Sequence, residues 1–338
     1  MLMIVAHHYS QRTLLYAHPD YSSFSISTLY LQIIGMGGKL AINSFVLLSA
    51  YFLCTNTISW IRVLKLYFEI LFYSLFGYLL LHIIGVQPLT LSLLLDMCTR
   101  PLSSIGNGFI GSFMIFYLLI PFLKFFVNTI SANSLKMLIA LLSVIYTILP
   151  TFNLVKFDCN YVVWFVYLFF IASYIRLHPF PLTESLKFSS FLFFGGLGGI
   201  CAWMFLCNIC GYPQFANWFC MDSNKLLALV SGLGLFLWFK NLKLKNSSFI
   251  NWIATSSFAV LLIHDHSTGM KTLIWTNIFH SDQYYGSIML VLNSLFAIVS
   301  VYIICVLFDK IRIYFIERPI MNKLSRISKL NHPVFTKS

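Results

Sequence analysis

Two adjacent imidazoles, His7 and His8, follow six apolar residues in MLMIVAHHYS. An imidazole takes up and returns a proton near neutral pH, so either ring is a candidate general base. Neighbouring residues on a helix point about 100° apart, so one of the two is expected to face a given site. A second titratable cluster, His264, Asp265 and His266, closes the apolar run SSFAVLLIHDH. A carboxylate beside imidazoles can orient and tune one of them. The HDH side chains diverge, so no metal is expected there. Arg62 and Lys65 stand at i and i+3 and share one helix face, which suits either topology anchors or a clamp for phosphates. Glu69, four residues beyond Lys65, is placed to pair with it. In GGKLAINSFVLLSAYFL (37–53), Asn43 and Ser49 interrupt an apolar run. Polar groups at such depth are costly and are site candidates for that reason.

The elements that must carry these residues are set by composition. The chain has 338 residues, of which 59% are hydrophobic and 9% charged, with a mean hydropathy of +0.83. Soluble domains carry about 25% charged residues. So few charges cannot cover a water-facing surface, and the chain reads as an integral membrane protein. Apolar runs near 33–54, 66–87, 108–128, 135–152, 161–177, 188–209, 225–241, 249–266 and 285–308 are each span-like. Residues 1–10 make a tenth segment, too short to cross alone and without the basic start or cleavage site of a signal peptide. The expected fold is an all-α, polytopic helical bundle of about ten transmembrane helices, with the first one truncated.

The net charge of +12 reflects topology rather than nucleic acid, because no basic stretch is interleaved with aromatics on a soluble face. Alternating loops place sixteen of the 22 Lys and Arg residues on one side, from Arg62 and Lys65 to the tail ending at Lys337, and six on the other, including Arg12, Lys39 and Lys271. By the positive-inside bias the first set is cytoplasmic. The segment from Asp309 onward is basic and partly amphipathic. Its end, 326–338, is expected as a cytoplasmic tail on the membrane surface. The eight cysteines show no metal spacing; one disulfide among Cys159, Cys210 and Cys220 is open, and the CNIC at 207–210 reads as incidental. GGLGG at 195–199 reads as helix packing or a kink.

These stretches, taken in order, resemble the acyltransferase 3 family of bacterial integral membrane acyltransferases. MLMIVAHHYS is similar to the end of the family's first helix, and GGKLAINSFVLLSAYFL to its second-helix signature, with Ala50 where the family has Gly. RVLK (62–65) resembles its cytoplasmic R-x-x-R element, with Lys65 as the last cation. FMIFYLLIPFLKFFV (113–127), INWIATSSFAVLLIHDH (250–266) and FDKIRIYFIERPI (308–320) resemble later helices.

The resemblance implies an O-acetyltransferase of the bacterial plasma membrane. It implies acetyl-CoA or another acyl-CoA as co-substrate, and a surface polysaccharide or lipid-linked oligosaccharide as acceptor. His8, or less well His7, would be catalytic, Arg62 and Lys65 would hold the CoA phosphates, and Asn43, Ser49, His264 and Asp265 would support the site. The family pairs its histidine with an arginine eleven residues earlier; counted back from His8, that position precedes Met1. A truncated form is therefore expected to insert and turn over poorly. A flippase for a lipid-linked glycan, or an inactive relative, are the rival readings.

Overall fold

The computed structural model describes residues 1–17, 25–101, 108–156 and 159–335; Lys337, the last of the tail cations, lies outside them. Among the described residues the regular structure is helical, in sixteen α segments. In chain order these are α1 (Leu2–Ala17), α2 (Ile26–Gly35), α3 (Gly37–Leu53), α4 (Trp60–Ile83), α5 (Leu91–Thr99), α6 (Phe109–Thr129), α7 (Ala132–Ser143), α8 (Leu149–Thr151), α9 (Tyr161–Leu177), α10 (Leu186–Ile209), α11 (Leu226–Asn241), α12 (Ser248–Ala254), α13 (Ser257–His264), α14 (Thr268–Lys271), α15 (Met289–Arg312) and α16 (Arg318–Leu324).

Apolar side chains on all sides of a helix favour burial in lipid, where every backbone N–H and C=O must be satisfied within the segment. Six stretches are long and apolar enough to cross a membrane: Ile26–Leu53, Trp60–Ile83, Phe109–Thr129, Ala132–Thr151, Leu186–Ile209 and Met289–Leu324. Tyr161–Leu177, Leu226–Asn241 and Ser248–His264 are apolar but shorter. The described residues are all-helical, and the protein is a multi-pass membrane protein with six stretches of full span length among them. α1 extends to Ala17, well beyond the first ten residues.

Several boundaries differ from the sequence reading for visible reasons. α2 and α3 meet at Met36 within one stretch, so Lys39 is not a loop residue. Its ammonium donates to Tyr161 Oη at 2.9 Å inside the bundle. The last span continues past residue 308 through a π turn, Ile313–Glu317, into α16. Beyond α16 the described chain, to residue 335, returns to the bundle: Val334 N–H donates to Ile58 O at 2.9 Å, Ser59 bridges Pro333, and Phe335 packs on Phe122 and Phe125. All eight cysteines are free thiols.

Within 195–199, Gly196 and Gly199 face α11, through Ser231 and Leu227, while nothing lies within 4 Å of a Cβ built on Gly198. α10 and α11 meet with Gly196 against Ser231 and Gly234 against the backbone of Phe193, so close that a Cβ on Gly234 would overlap the Phe193 backbone nitrogen. Small residues allow this backbone approach between membrane helices. A large aromatic core, including Trp164, Tyr73, Phe116, Phe165 and Phe169, joins α3, α4, α6 and α9. A second core of Val5, Tyr9, Leu31, Trp275 and Ala297 holds α1 against α2 and α15.

Candidate active site

α1 is fixed on three sides, and this sets where its histidines point. Ser10 Oγ donates to Leu31 O at 2.6 Å, Tyr9 Oη to Asn293 Oδ1 at 2.7 Å, and Arg12 Nη2 to Thr272 Oγ1 at 2.7 Å. His7 turns toward the α2–α3 junction. Its Nδ1–H donates to the carbonyl of Gly35 at 2.7 Å, and its ring lies on Gly38. A Cβ at Gly38 would overlap His7 Cγ. We expect Gly38→Ala to destabilise the protein by about 1–3 kcal/mol, the usual cost of overpacking, read as a lowered Tm.

His8 turns the other way. Its Nδ1 stands 3.0 Å from Asp265 Oδ1, and Lys271 Nζ reaches the same oxygen at 2.7 Å. Asp265 is delivered here because α13 ends at His264 and Ser267 caps α14, its Oγ accepting from Met270 N–H. The short connection between the two helices holds the carboxylate over α1. Burial pushes the Asp265 carboxyl up, but the imidazole of His8 and the ammonium of Lys271 outweigh it and hold it well below the usual carboxylate range. Asp265 is therefore an anion at any working pH, and it engages the Nδ1 side of His8.

That leaves Nε2 of His8 as the nitrogen available to the adjoining cavity of about 370 Å³, lined by His7, His8, Gln11, Arg12 and Lys271 with two leucines. The two histidines both border this space, but only His8 has a carboxylate behind it. His264 lies beside His8, the rings tilted by 56° with their centroids 5.0 Å apart. It is fully buried, and its Nδ1–H donates to Val260 O at 2.5 Å. No three described His, Cys, Asp or Glu side chains are grouped to hold a metal ion.

His266 serves the frame rather than the cavity. Its Nε2–H donates to Ser74 O at 3.0 Å, its ring rests on Gly77, and Arg100 donates to its backbone carbonyl. Burial, and then the nearby Arg100 charge, lower its pKa to about 4. The sign follows: a depressed folded-state pKa means stability is complete above the unfolded value of about 6.5 and is lost as pH falls toward 4. The loss approaches about 3 kcal/mol at the low end. Thermal unfolding between pH 7 and 4 measures it, and His266→Gln should flatten the slope.

The remaining sequence candidates lie apart from this cluster. Asn43 is fully buried and its polar atoms are taken: Nδ2 donates to Ser223 O and Ala228 O, and Oδ1 accepts from Trp164 Nε1. Ser49 donates back to Phe45 O one turn earlier. Arg62 donates to Thr57 O. Lys65 pairs with Glu317 at 2.8 Å, not with Glu69; Glu69 instead faces Arg312 at 3.6 Å. Sequence reasoning misses Lys271 and Arg12, which read as loop cations. It also misses the Asp309–Arg312–Glu317 group, which it merges into a basic tail. The signal for that group is present: Asp309 and Arg312 stand at i and i+3 at the end of an apolar span.

The family model of the acyltransferase 3 domain matches residues 1–310. The chain belongs to the acyltransferase 3 family. Comparison with curated proteins and with solved structures finds no match to either. An imidazole that faces a carboxylate and lines a cavity, as His8 does, has the geometry in which a general base toward a hydroxyl can work.

Proposed function

We propose that this acyltransferase moves an acyl group, acetyl in the first instance, from acyl-CoA to a hydroxyl of an exported polysaccharide or lipid-linked sugar at the bacterial plasma membrane. The observation that carries the reading is the 3.0 Å approach of Asp265 to Nδ1 of His8, a residue that also lines the cavity. Nε2 takes the proton from the acceptor hydroxyl as its oxygen attacks the thioester carbonyl. The C–S bond then breaks, and the thiolate leaves with the proton that the imidazolium returns. Asp265 stabilises the imidazolium in between, and Lys271 keeps Asp265 ionised and in place. The basic Arg62–Lys65 end is read as cytoplasmic, where acyl-CoA is available, and the His8 cavity as open toward the outer side.

Full-length protein in proteoliposomes, given radiolabelled acetyl-CoA and membrane extract containing lipid-linked glycans, tests this. Label appearing in the glycan fraction supports the reading. Glycan translocation without label would favour a flippase, and neither activity would favour an inactive relative.

A further inference from the structure

A second polar cavity, of about 740 Å³, opens between α4, α12 and the α15–α16 junction. We infer that it seats the nucleotide end of the acyl donor, with Lys310 and Arg318 as the phosphate-binding residues. This rests on the acyl-CoA reading above, and it transfers the phosphate role from Arg62 to the last span. Four cations line the cavity, Lys65, Lys310, Arg312 and Arg318, against two carboxylates, Glu69 and Glu317. The carboxylates are committed: Glu317 pairs with Lys65 and Arg312, and Glu69 faces Arg312.

Lys310 is held only by neutral acceptors, the carbonyl of Trp252 and Thr255 Oγ1 at 2.5 Å. Arg318 stands over the Tyr314 ring at 6.0 Å and has no carboxylate partner among the described residues. Two cations without an ion pair among the described residues thus share a cavity in which cations outnumber carboxylates four to two, the electrostatic condition for a multiply charged anion. The same cavity is lined by two aromatics, Trp252 and Tyr314, 44% and 61% accessible, with Lys310 Nζ 4.8 Å over the Trp252 ring. A purine stacks on such rings. The volume lies within the usual range for small-molecule sites.

Arg62 is not among the residues lining this space and is engaged by Thr57 O. Thr255, at the cavity, and Asp265, at the catalytic histidine, are ten residues apart on the α12–α13 segment, about 15 Å at helical rise. The extended arm of coenzyme A between diphosphate and thiol covers a comparable reach. The donor can therefore keep its nucleotide at Lys310 while its thioester approaches His8.

The test is equilibrium binding of CoA and dephospho-CoA to the full chain in phosphatidylcholine nanodiscs. For Lys310→Gln with Arg318→Gln, CoA affinity should fall about tenfold to a hundredfold, the range of a lost charge-assisted hydrogen bond. The preference for CoA over dephospho-CoA should shrink with it, a readout that a merely loosened fold would not move. Trp252→Ala should weaken both ligands and Trp252→Phe should restore them, while Arg62→Gln should leave both unchanged.

Unaltered CoA binding in the double variant, or an equal loss in Arg62→Gln, overturns the assignment while leaving the acyl-CoA reading intact. So does normal CoA binding in the double variant with loss of co-purified phosphatidylglycerol, which would make the cavity a lipid-headgroup site. Failure of the unaltered protein to bind CoA at all would remove the donor reading itself.

Discussion

His8→Gln is expected to lower acyl transfer by about 10²–10⁴-fold, the usual worth of a positioned general base, while leaving the protein folded. Glutamine keeps much of the imidazole's bulk and a hydrogen-bonding end near Asp265, so the cavity of His7, Gln11 and Arg12 should persist. What it cannot do is take a proton. The companion change, Asp265→Asn, tests the orienting role. It removes the anion that faces Nδ1 of His8 and frees Lys271 from its 2.7 Å partner. Transfer should fall in this variant as well, with KM for the acyl donor little changed, because in the proposed mechanism Asp265 acts on the base and not on the donor. His7→Gln separates the two neighbours. Its Nδ1 is engaged by Gly35 O, so that change should cost stability more than turnover. The comparison is made on protein of matched monodispersity, with transfer of labelled acetyl as the readout. Equal activity of His8→Gln and the parent would remove His8 from the chemistry.

The contrast between these two histidines shows what a linear reading can and cannot provide. That helical spacing turns neighbours apart follows from geometry alone, and so does the suspicion that a carboxylate in HDH orients an imidazole. Which imidazole it orients does not follow. Asp265 reaches His8, more than 250 positions away in the chain, because α1 is clamped by Leu31, Asn293 and Thr272 and because a short turn follows α13. Those are properties of packing, with no local sequence signal. Asn43 teaches the reverse. Depth in an apolar run marks it as a site candidate, yet every polar atom is used to join α3 to α9 and to the start of α11. In lipid, a polar side chain serves structure as readily as chemistry. Helix count is limited in a different way: hydropathy locates apolar runs well, but α9 and α11 fall short of full-length spans.

Arg312→Ala should be the most destabilising single change in the bundle, costing about 3–5 kcal/mol, the usual penalty for stranding buried charge. Its guanidinium is 5% exposed and stands among three carboxylates. Nε donates to Asp309 Oδ1 at 2.8 Å, Nη1 to Glu317 Oε2 at 2.9 Å, and Nη2 lies 3.6 Å from Glu69 Oε1. Tyr73 Oη donates to the same Asp309 oxygen at 2.6 Å. Without Arg312, Asp309 keeps only that hydroxyl, Glu317 keeps only Lys65, and Glu69 keeps neither. Arg312→Lys should recover part of the loss, since an ammonium restores the charge but not a fork that serves several carboxylates at once. Glu69→Gln should cost far less, because its contact is long and neutralising it relieves repulsion from Asp309 and Glu317. The buried free thiols Cys54, Cys207, Cys220 and Cys305 provide a direct readout: a thiol-reactive fluorophore reports their exposure as the protein is heated in detergent. If Glu69→Gln unfolds as early as Arg312→Ala, the arginine is not the centre of the network, and its charge is balanced elsewhere.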